Sequence, residues 1–162
     1  MVEYGWLIAL VSGVAVLVAA AFAWRPVRCA MRESHFAALR KDFHRQRERV
    51  EAKFFQMNAE SGKPRGLIWT GCDFDDDVVY ARDRRTGQLS AFVAVTISFE
   101  AAEGGGMEHV EAVGNLRAAT AVFRADRDRW TTDGKAMFNL NPTEAIHYYQ
   151  DNLELVGQEV RG

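Results

Sequence analysis

Residues 5–24, GWLIALVSGVAVLVAAAFAW, constrain this chain more than any other stretch. They carry no charge, and Ser12 is their one hydroxyl side chain. At 1.5 Å per helical residue, twenty residues reach about 30 Å, the thickness of a bilayer's hydrocarbon core. Tyr4 and Trp6 stand at one end and Trp24 at the other, where amphipathic rings favour the headgroup level. The nine large apolar side chains, Leu7, Ile8, Leu10, Val11, Val14, Val16, Leu17, Val18 and Phe22, together favour insertion by roughly 3–5 kcal/mol. The expectation is a single transmembrane helix with the lipid bilayer as its partner.

Ala21-Phe22-Ala23 also fits the small-x-small site of a cleaved secretory signal. The flanks favour an anchor instead. Glu3 is the only charge before the run, whereas Arg25, Arg28 and Arg32 follow it closely. Positive flanks stay cytoplasmic, so the N terminus is expected outside and the C-terminal domain in the cytoplasm. Gly5, Ala9 and Gly13 recur at the spacing that lets two membrane helices approach, although an alanine-rich run produces such spacing easily.

Charge is distributed unevenly behind a net of −2. Residues 25–53 hold nine Lys/Arg against four Asp/Glu; residues 54–162 hold eleven against seventeen. The acidic remainder disfavours nucleic acid as a partner, because phosphates demand a basic surface. Two cysteines, Cys29 and Cys72, are too few for a disulfide framework.

After a short basic linker, 26–33, where Pro26 ends or kinks the first helix, the period changes. Phe36, Leu39, Phe43, Val50, Phe54 and Met57 form one apolar stripe over residues 34–58, with Ser34 as N-cap. Phe36, Leu39, Phe43, Gln46 and Val50 also fit heptad positions, but the pattern is short and Gln46 is polar, so packing on a sheet is favoured over a coiled coil. Gly62 and Pro64 stop the helix.

Strands are expected at 67–72 and 78–82, separated by an acidic turn at 73–77, and then at 89–100, 116–124 and 136–140. In the third of these Leu89, Ala91, Val93, Val95, Ile97 and Phe99 alternate onto one face. Gly87 and Asp133-Gly134 supply hairpin turns. A final helix over 141–157 opens on Asn141, Pro142 and Glu144, a capping box with proline in the first turn, and carries Ile146, Tyr149, Leu153 and Val156 on one side. The fold class is therefore α+β. A domain at 34–157 places its helices on one face of a curved antiparallel sheet of four to six strands, ahead of a tail at 158–162. That layout resembles cystatin-like and nuclear-transport-factor-like folds.

Chemistry is sparse. Asp73, Asp75 and Asp77 alternate like the start of a calcium loop, but its sixth and twelfth places hold Val78 and Arg84 instead of Gly and Glu. Asp73-x-Asp75 after an apolar strand also resembles the nucleophile strand of haloacid-dehalogenase-like phosphatases, yet that fold alternates parallel strands with helices. Asp-rich segments commonly make turns, so these three are weak metal candidates. His35, His44, His109 and His147 are scattered, with only Glu108 and Glu111 near His109. No cofactor or catalytic residue is expected. The function expected is a membrane-anchored, non-enzymatic interaction module for a protein partner. A small-ligand or enzymatic domain with a pocket between sheet and helix is the first alternative, and a homodimeric assembly element is the second.

Overall fold

The structure is a computed structural model that describes the chain apart from residues 1–4, 62–65, 107, 108, 111–113, 115, 161 and 162, and apart from the side chains of residues 5–9, 25–29 and 32. It forms helix α1 (Gly5–Ser61), strands β1 (Leu67–Asp83), β2 (Leu89–Ala101), β3 (Arg117–Asp126), β4 (Arg129–Thr131) and β5 (Ala136–Phe138), helix α2 (Pro142–Tyr148) and strand β6 (Leu153–Glu159). The class is α+β, with six antiparallel strands in one open sheet ordered β4-β3-β2-β1-β6, and β5 also paired to β3. Two compact units divide the chain, Met1–Lys41 and Asp42–Gly162.

The first unit is helical throughout its described backbone. The backbone of residues 26–33 is helical, and α1 does not end at Pro26. Ser34 is consequently no N-cap. It sits mid-helix and its Oγ donates to the Met31 carbonyl at 3.0 Å, the back-bonding that a helical serine adopts when it has no end to cap. Leu10, Val11, Val14, Val16, Leu17 and Phe22 are each at least half exposed. Among the described residues no helix is long and apolar enough to cross a membrane.

In the second unit, the helix from Asp42 onward lays its stripe on the sheet. Phe43, Val50 and Phe54 are buried, while Met57 at the end of the stripe stays exposed. Phe43 meets Trp130 at 4.9 Å and Phe123 at 5.8 Å between ring centroids; Phe54 meets Phe74 at 5.7 Å. Full burial of such side chains stabilises by about 1.5–3 kcal/mol each before entropy is counted. Polar groups add register. The Gln46 amide oxygen accepts the Trp130 N–H at 3.0 Å and Arg49 donates to the Trp130 carbonyl at 3.1 Å, which covers edge strand β4.

Four sequence expectations change here. The segment 73–77 is no turn: β1 runs through it as one strand, with a bulge between Phe74 and Val78 that sets three residues, 75–77, against Ala94 of β2. Residues 133–134 make no hairpin either. β4 and β5 lie end to end along β3, interrupted where the buried Thr132 donates its hydroxyl to the Val122 carbonyl at 2.9 Å. The capping box at Asn141 and Glu144 forms, with both hydrogen bonds near 3 Å, yet α2 stops at Tyr148 and the chain turns at 149–152 into β6. Finally, α2 does not share the face of α1. Tyr80 on β1 points to Phe43, whereas its neighbours Val79 and Ala81 point the other way, into a second core with Phe92, Val122, Met137, Ala145 and Ile146. The stop signals Gly62 and Pro64 lie outside the described residues.

Candidate functional site

The acidic bulge of β1 is built from three parts of the chain. Arg47 of α1, only 12% exposed, reaches it with its guanidinium: Nη1 donates to the Asp76 carbonyl at 3.1 Å and Nη2 to that of Asp75. Its Nε donates to Glu51 one turn further along the helix at 2.6 Å. A bulge leaves carbonyls without ladder partners, and a planar fork of N–H donors satisfies two of them at once. The Asp75 carboxylate accepts from the Asp77 amide at 3.4 Å.

Beyond the bulge, on the face that α2 covers in part, a trough of about 720 Å³ opens. Its floor holds small side chains, Ala94, Thr96 and Ala118; Asp73, Asp75, Asp76 and Glu144 stand around it. Of the three metal candidates, Asp73 and Asp75 line this trough and Asp77 does not. Among the described residues no group of three His, Cys, Asp or Glu side chains is placed to hold a metal ion.

On the α1 side, His44 Nε2 lies 2.6 Å from Glu159 Oε2 of β6, and the buried Tyr80 donates its hydroxyl to the same oxygen at 3.2 Å. His44 and Glu159, with Asp76 and Val160, border a cavity of about 230 Å³. His–Glu pairs can move protons, but among the described residues no Ser, Thr or Cys lines that cavity to act as a nucleophile. Cys72 lines a separate hollow with Phe55, Glu48 and Glu51. Burial pushes its thiol up to about 11, so it is protonated and unreactive at neutral pH.

The membrane-flanking set is only partly visible. Trp24 is 65% exposed, while Tyr4 and the side chains of Trp6, Arg25, Arg28 and Arg32 lie outside the described residues, as do Glu108 and Glu111 beside His109. Sequence patterning misses Arg47, Gln46 and Glu159, since each acts on a partner at least 28 residues away. No family model matches the chain, and none of the curated proteins or solved structures matches it.

Proposed function

We propose that this chain is a single-pass membrane protein whose α+β unit, held on the cytoplasmic side, serves as an interaction module for a protein partner. The observation that carries the reading is the exposure of apolar side chains all round α1 over residues 10–24. Val11, Val16, Leu17 and Phe22 are each about two-thirds exposed, where a helix in water would bury one side. A helix apolar on every face needs an apolar solvent. With residues 5–9 included, the run has the length of a span. Arg25, Arg28 and Arg32 after it set the orientation. The acidic trough supplies the module with a surface of one sign, and such a surface favours partners of opposite charge.

Alkaline extraction of membranes tests the anchor: the chain should stay in the pellet, and release into the supernatant would end the reading. A reporter active only outside the cytoplasm, fused after Gly162, should stay silent; strong activity would reverse the orientation. Crosslinking in intact membranes followed by mass spectrometry then identifies the partner, and recovery of the chain crosslinked to itself alone would favour assembly over adaptation.

A further inference from the structure

A second cavity, about 220 Å³, lies on the α2 face of the sheet between the β1–β2 hairpin and the turn that leads into β6. Phe92, Val122 and Met137 form its floor, and all three belong to the buried apolar cluster under α2. Its wall carries two cations, Arg124 and Lys135. Asp133 pairs with one end of the Arg124 guanidinium at 2.9 Å, and the Lys135 ammonium lies 4.9 Å above the Tyr149 ring, which holds it over the cavity wall. Ser90 is 7% exposed and lines the cavity, and among the described residues no partner takes its hydroxyl. The Ser90 hydroxyl opens into the hollow, where it can donate to a ligand atom. The acidic group on the wall is Asp83, whose Oδ1 is turned to the amides of Thr86 at 2.7 Å and Arg85 at 2.9 Å.

We propose that this cavity binds a small amphipathic carboxylate, one ring or a short chain with a single anionic head. The apolar body rests on Phe92, Val122 and Met137, and the carboxylate takes charge-assisted hydrogen bonds from Lys135 and Arg124 and accepts from Ser90. The volume is below the roughly 300–1,000 Å³ of drug-sized sites, which excludes larger molecules such as nucleotides. The site stands on the face away from the helix-side core and requires no membrane contact, so it goes beyond the tethering proposed above.

The test uses the full chain in detergent micelles with carbon-13 methionine methyls, because Met137 sits in the cavity floor. Benzoate should shift the Met137 methyl saturably and leave Met57, on α1, unmoved. Benzyl alcohol, with the same ring and no charge, should bind about tenfold more weakly. Lys135→Gln, at an exposed position that the fold tolerates, should weaken benzoate by about tenfold, and Ser90→Ala should weaken it by a smaller factor. No saturable shift up to about 50 mM benzoate would overturn the proposal, as would equal affinity for the alcohol or undiminished binding by Lys135→Gln.

Discussion

Arg47 joins α1 to the sheet at the β1 bulge. It closes the β1 bulge and is itself held by Glu51, at 12% and 18% exposure. Arg47→Ala should cost about 1–3 kcal/mol in urea unfolding, since it strips two carbonyls of their donor and leaves Glu51 partly buried without its cation. Cys72 gives a pH prediction of definite sign. Its thiol is raised in the fold from 9.0 to about 11, so the folded chain holds a proton that the unfolded chain releases first. Stability from this group is complete below pH 9 and falls as pH rises towards 11. Alkylation of the native chain should keep accelerating past pH 9, while Cys72 in denaturant levels off there; coincident profiles would refute the shift.

At the level of elements, the lower half of α1 belongs to the core. A chain of residues 33–162 should unfold cooperatively, whereas residues 60–162, which lack Phe43, Val50 and Phe54, should be insoluble or molten. Phe43→Asp should unfold the longer chain, because it sets an unpaired charge against Tyr80, Phe123 and Trp130. Circular dichroism melts check both, and equal stability of the shorter chain would make this helix a stalk. The stripe was legible because burial repeats with the helical period, and the box at Asn141 because its two bonds are local. Asn141→Ala should cost about 1 kcal/mol. The run 73–77 misleads because Asp favours turns, and what makes it a bulge is Arg47, a side chain 28 residues earlier. Residues 146–156 mislead because Ile146, Tyr149, Leu153 and Val156 suit a helix, while β6 is decided by pairing with β1 some 75 residues away. The second cavity was illegible for the same reason, its lining being drawn from separate strands and turns.

For the whole molecule, chain order and sheet order disagree. β1 is the first strand of the sheet to be made, yet its second neighbour is β6, the last in sequence. During synthesis the apolar run and every other strand emerge while residues 78–83 of β1 still lack their second partner. An unpaired edge recruits other strands, and neighbouring nascent chains offer the same edge. The sheet reaches its final width only when residue 159 is free. A stop codon at Leu153 should therefore yield aggregates and not a slightly shortened domain, which sedimentation of the product against the full chain would reveal. Under the tether proposed above, each copy would be fixed separately in a membrane and its open edge kept from its neighbours, a task otherwise left to a chaperone.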